Sequence, residues 1–164
     1  MSVAAAAAAA AAAHRKTGRR PHKRAGGGVV SSCVYGSLVG TITASKLICV
    51  IQVGLPVREL RDLQASLAVP MERLGPLLDI SKATLHRRMA GGRLRATESD
   101  RVVRFALLMG KAVKVLESEE NARQWLTSPQ FGLGGAVPLD YARTEVGARE
   151  VEDLLGRIEY GVYS

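Results

Sequence analysis

All-α is the fold class this chain predicts, and three observations carry it. Apolar residues recur at helical spacing along the chain from residue 44 onward. No run alternates apolar with polar residues as a half-buried strand does. Ser, Thr, Pro and Gly stand where helices start and stop.

The elements follow in order. Residues 1–28 are low in complexity: a polyalanine run at 4–13, then HRKTGRRPHKRAGGG. Alanine favours helix, but no apolar face exists to dock one, so a disordered, solvated basic tail is expected. A secretory signal places its cations before the apolar stretch; here they follow it, and Arg19-Arg20 make a poor twin-arginine signal. A start site assigned too far upstream is a further reading of this stretch. Residues 29–53 hold one charge, Lys46, and are long enough to cross a bilayer. Their six Ser/Thr, two glycines and central lysine argue against insertion. They read instead as a short extended piece followed by a helix over 44–53, closed by Gly54 and Pro56.

Further helices are predicted at 56–67, at 70–78 with Pro70 opening it, and at 81–90, capped by Ser81 and stopped by Gly91-Gly92. Thr97 to Asp100 reads as a capping box that starts a long helix to residue 116, with Val103, Ala106, Gly110 and Val113 on one face. Ser118 caps the next helix, which ends before Pro129. FGLGG at 131–135 reads as a flexible connector, then a short helix follows at 138–142. From Thr144, a plausible N-cap, one amphipathic helix runs almost to the end. Val151, Leu154, Leu155 and Ile158 form its stripe, and Arg149–Asp153 and Asp153–Arg157 are expected ion pairs on its other face. An apolar tail with Tyr160, Val162 and Tyr163 finishes the chain, which points to a tail that docks rather than frays.

At 164 residues the chain suits one medium domain, or two small ones sharing a core. Cys33 and Cys49 lie in no CxxC and near no histidine, so reduced thiols in a cytoplasmic protein are expected, with no metal and no disulfide framework. Three histidines, no phosphate loop and no Ser/His/Asp set argue against an enzyme, and no cofactor is implied. Trp125 is expected in the core. The net charge of +8 is unevenly placed: +7 over residues 82–114 against −5 over 115–164. A polyanion and a basic protein surface are the partners such a bipolar chain suits.

Leu74, Leu77 and Leu78, a tight turn at Asp79-Ile80-Ser81, then residues 82–89 have helix-turn-helix spacing. Gly75 lets the helices approach, Asp79 takes the left-handed turn position, and Ile80 and Leu85 anchor the second helix. Ser81, Lys82, Ala83, His86 and Arg87 are then the candidates for the major groove. Arg88, Arg93 and Arg95 are candidates for phosphate contact.

The C-terminal phrase GAREVEDLLGRIEYGVYS closely resembles the end of the Xre/MbcA/ParS-type antitoxins, partners of RES-domain toxins. The likeness continues upstream through GLPVRELRDL, LDISKATLHRRMAGGRL, ESDRVVRFA, ARQWL and FGLGGAVPLDYARTEVGA, and so covers roughly residues 37–164. The first thirty residues have no counterpart in that pattern. The resemblance implies a helix-turn-helix region over 29–96 and a helical toxin-binding domain over 97–164. It implies that the terminal helix and tail plug the active-site cleft of a RES-type toxin, which consumes NAD or, in some members, modifies a protein with ADP-ribose. The inhibitory surface carried over is Arg149, Glu150, Leu154, Arg157, Ile158, Tyr160, Gly161, Val162, Tyr163 and Ser164, with Val151 and Leu155 packing inward. An acidic helix with an apolar, carboxylate-ended tail complements a dinucleotide cleft. Operator DNA is the second implied partner, and two-fold operators imply a homodimer. The competing reading is a plain transcription regulator whose C-terminal domain only dimerises.

Overall fold

The computed structural model describes residues 28–39 and 43–161. Within them nine α-helices and one 3-10 turn form, with no β-strand. The helices are α1 (Val29–Val39), α2 (Ala44–Val53), α3 (Val57–Leu67), α4 (Met71–Leu77) and α5 (Lys82–Gly91). The long α6 (Ala96–Leu116), α7 (Glu119–Thr127), the 3-10 turn (Phe131–Leu133), α8 (Pro138–Tyr141) and α9 (Glu145–Glu159) follow. The all-α expectation holds. The expected basic tail falls outside the described residues, apart from Gly28.

Helix α6 is the strut of the molecule. It buries Val102, Val103, Phe105, Ala106, Leu108, Met109 and Ala112, a stripe too wide for one neighbour. Helices α1, α2 and α3 pack on it from one part of the chain, and α7 and α9 from the other. One core results, holding Leu60, Leu63 and Leu67 of α3, Leu126 of α7, and Val151 and Leu155 of α9. Trp125 is half-buried against that core.

Two expectations are corrected in this region. The first stretch of 29–53 is not extended: it is α1. Uncharged and without an amphipathic stripe, it gives no helical signal of its own. It becomes helical through Val30 and Val34, one turn apart and buried against the core. The buried carboxylate of Glu59 also accepts from the Val30 amide at 2.9 Å, an anion at the positive end of the helix. The long helix likewise begins one residue earlier than its expected cap. Thr97 does not cap it; Glu98 reaches back to the Arg95 amide at 2.7 Å, and the helix starts at Ala96.

A third correction concerns FGLGG. It is an ordered turn, not a flexible connector. Gln130 organises it, donating from its amide to Ala136 (3.0 Å) and accepting from Gly135 (2.9 Å) and Leu133 (3.1 Å) through its carbonyl. Its side chain donates to the carbonyls of Trp125 and Ser128. The remaining boundaries lie within a residue or two of expectation, and Ser81, Ser118 and Thr144 all cap as expected.

Helices α1 and α6 cross closely at Gly110, where a Cβ would run into the Cys33 carbonyl. Burial in this crossing, with the Glu59 charge, pushes the Cys33 thiol up to about 11, so it stays protonated. Gly156, inside α9, faces open space. Gly110→Ala is therefore expected to destabilise the fold by about 1–3 kcal/mol through overpacking. Gly156→Ala is expected to stabilise it by about 0.5–1 kcal/mol through helix propensity. Urea unfolding of the two variants checks the contrast.

Candidate nucleic-acid and partner-protein surfaces

The helix-turn-helix is built around the Asp79 turn. Asp79 takes a left-handed conformation (φ 55°), as expected of that position. The Ile80 amide donates to the Gly75 carbonyl at 2.9 Å, and a Cβ on Gly75 would press on the Ile80 carbonyl, so glycine serves the turn itself. From α6, Arg101 donates to the Leu78 carbonyl (3.0 Å) and pairs with Asp79 (3.1 Å). This clamp has no local sequence signal, because it joins residues more than twenty apart.

Ser81 caps α5, its hydroxyl accepting from the Thr84 amide at 3.2 Å. Leu85 and Met89 seat α5 on the core, leaving Lys82, Ala83, His86 and Arg87 exposed on the opposite face beside Ser81. The five candidates for base contact are thus brought together. The three candidates for phosphate contact are not equivalent. Arg95 is exposed. Arg93 donates to the carbonyls of Gly54 (3.0 Å) and Val53 (3.4 Å), where α2 ends. Arg88 turns inward onto Glu98, its Nε lying 2.8 and 3.1 Å from the two carboxylate oxygens.

Glu98 sits at a junction of four segments. Its neighbour Ser99, fully buried, donates to the Arg95 carbonyl (2.7 Å) and accepts from the Leu55 amide (2.8 Å). The strands of loop before α3 and after α5 pair across this point, Leu94 to Leu55 at 2.8 Å and Val57 to Gly92 at 3.0 Å. Burial alone would raise the Glu98 carboxyl. The Arg88 hydrogen bond, the Arg95 amide and the nearby guanidinium charge overturn that and hold it below its ordinary value.

Helix α9 lies along α6. Thr144 caps it through Gly147 at 3.1 Å, and Gly147 fits against the Tyr141 carbonyl with no room for a Cβ. Val151 and Leu155 pack inward as expected. Both ends are tied to α6, Glu145 to Arg104 at 3.1 Å and Glu159 to Lys114 at 3.0 Å. The expected Arg149–Asp153 pair is absent: Arg149 turns back to Glu145 at 3.3 Å, towards the helix N-terminus. Asp153 and Glu150 are exposed and have no ion pair among the described residues. Leu154 is half-buried, filling the space beside Gly132 of the 3-10 turn. Arg157 and Ile158 are half-buried, and the Arg157 Nε has no hydrogen-bond partner among the described residues. Tyr160 is 80% exposed and Gly161 is exposed. Val162, Tyr163 and Ser164 lie outside the described residues. Among those described, no group of His, Cys, Asp or Glu could hold a metal ion, and no helix is long and apolar enough to cross a membrane.

Two family models match the chain in tandem. One, an antitoxin Xre-like helix-turn-helix domain, matches residues 50–107. The other, the antitoxin Xre/MbcA/ParS C-terminal toxin-binding domain, matches residues 111–161. The chain belongs to the Xre/MbcA/ParS antitoxin family. Similar relatives include an antitoxin Xre of Yersinia enterocolitica, 40% identical over 85 residues, which are 51% of this chain and 57% of that protein. An antitoxin Xre of Photorhabdus laumondii is 41% identical over 80 residues, 48% of this chain and 54% of that one. An antitoxin Xre of Pseudomonas putida is 32% identical over 68 residues, 42% and 43%. The chain thus spans about half the length of the curated relatives it matches. In this Xre/MbcA/ParS member the two matched segments meet inside α6, so one helix carries both.

The Arg88–Glu98 pair fixes the sign of one pH effect. A carboxylate with a lowered pKa stabilises the fold fully above the ordinary carboxylate range, and that contribution is lost as pH falls through the lowered value. Stability is therefore expected to drop below about pH 4, and Glu98→Gln to be less stable near neutrality with a shallower acid decline. Thermal unfolding followed across that range checks both.

Proposed function

We propose that the chain is the antitoxin of a toxin–antitoxin pair, acting through two separate surfaces, the outer face of α5 and the outer face of α9. The observation that carries the reading is the tandem match of a helix-turn-helix domain and a toxin-binding domain on one strut. Each matched segment leaves an exposed face suited to its partner. The α5 face of Ser81, Lys82, Ala83, His86 and Arg87 takes operator DNA in the major groove, with Arg95 on a phosphate. Arg88 and Arg93 serve by holding α5 and the end of α2 in place. The protein then represses its own operon as a homodimer.

The outer face of α9 with the tail takes the toxin. Glu150, Leu154, Arg157, Ile158, Tyr160 and Gly161, continued by Val162, Tyr163 and Ser164, form that surface with Arg149 at its edge. The toxin proposed is of the RES type, consuming NAD, and its cleft is occluded by the helix and tail. The acidic balance of residues 115–164 supports a basic, anion-accepting cleft as the target.

Two experiments test this. Deletion of residues 160–164 is expected to abolish inhibition of NAD loss catalysed by the neighbouring gene's product, while operator binding is unchanged. A neighbour that consumes no NAD, or one this protein leaves active, removes the toxin reading in favour of a plain regulator. Arg87→Ala is expected to weaken operator binding by about 1–3 kcal/mol. Its salt dependence separates the roles: an unchanged slope marks base contact, and a slope smaller by about one marks phosphate contact.

A further inference from the structure

Phe131 is the most exposed large apolar side chain among the described residues, at 93%, whereas the other phenylalanine, Phe105, is at 1%. An isolated surface apolar residue is ordinary; this one is built into place. Its turn is closed by the Gly134 and Gly135 amides, on the Phe131 and Gln130 carbonyls, at 3.0 and 2.9 Å. Both glycines hold left-handed angles (φ 65° and 85°) that side chains rarely accept. The turn is also locked to the terminal helix, because Leu154 occupies the space a side chain at Gly132 would need. Leu154 shares its helix face with Glu150 one turn before and Ile158 one turn after. The ring therefore stands at the border of the face assigned above to the toxin.

We infer that Phe131 is an apolar anchor of the toxin interface, seated in an apolar pocket of the toxin rimmed by basic side chains. The inference rests on the antitoxin reading and extends it to a residue off the terminal helix. Three observations support this occupant. The position is continuous with the proposed surface through Gly132 and Leu154. Glu150 and Asp153 are exposed on α9 without ion pairs among the described residues, so the surroundings ask for cations. A second copy of the same end would bring two segments of net −5 together, which disfavours self-association there. The turn is ordered before any partner arrives, so docking the ring costs little conformational entropy. Aromatic anchors of this kind dominate the energetics of protein interfaces.

The test uses the full chain and the purified product of the neighbouring gene. Phe131→Ala is expected to raise the Kd at least ~30-fold, with unfolding temperature unchanged because the ring supports no core contact. Phe131→Leu is expected to recover much of the loss. If Phe131→Ala binds within about twofold of the parent while removal of residues 160–164 weakens binding, the anchor role falls and the antitoxin reading stands. If the parent chain does not bind the product at all, both fall. If Phe131→Ala leaves that affinity intact but lowers the oligomeric state in sedimentation, the ring is a contact between copies and the inference is overturned.

Discussion

The buried polar knot at the start of α6 is the constraint on which the rest depends. Glu98 and Ser99 are adjacent, nearly or wholly out of water, and each must find partners or pay the desolvation of a lost hydrogen bond. They find them on different segments: Arg88 on α5, the Arg95 backbone, and the amide of Leu55 ahead of α3. Satisfying two side chains thus ties α5 and the loop ahead of α3 to the start of the strut. The arrangement is one-sided in energy. A complete network stabilises modestly, while removal of one member leaves a buried charge without compensation.

The same economy explains how the basic middle of the chain is divided. Of its arginines, Arg88, Arg93, Arg101 and Arg104 are turned onto carboxylates or carbonyls of this chain. Lys82, Arg87 and Arg95 are left facing out. Net charge by segment therefore overstates the cations free for a polyanion. At the acidic end the pairing is similar: Glu145 and Glu159 hold α9 to α6, and Glu150 and Asp153 stay at the surface. The bipolar character is real on the surface, but narrower than the residue counts.

How much was legible in the sequence depended on whether the signal was local. Caps, glycine stops and the left-handed Asp79 are governed by neighbouring residues, so helices α2 to α9 could be placed from spacing. Helix α1 could not, because its cause lies in Val30, Val34 and a carboxylate 29 residues away. FGLGG reads as a connector because its glycines are visible and its organiser, Gln130, is not distinctive. The α5 face was legible as a set, since five positions on one helix share a side by geometry alone. Arg88 was not separable from its neighbours until Glu98 came into contact. For α9 the inward pair Val151 and Leu155 followed from periodicity. Which acid Arg149 chooses did not, since Glu145 and Asp153 are equally spaced from it.

Helix α1 lies wholly before residue 50, outside both family-matched segments, yet it contributes Val30 and Val34 to the core and covers α6 at Gly110. The family boundary and the folding boundary are therefore different places in this chain. A shortened version beginning at residue 50 keeps every recognisable motif and loses one wall of the hydrophobic interior. It also strands Glu59 without the backbone amide it accepts from. Motif-based trimming, harmless in a protein whose extra residues are appended, here removes a part of the building that the motifs stand on.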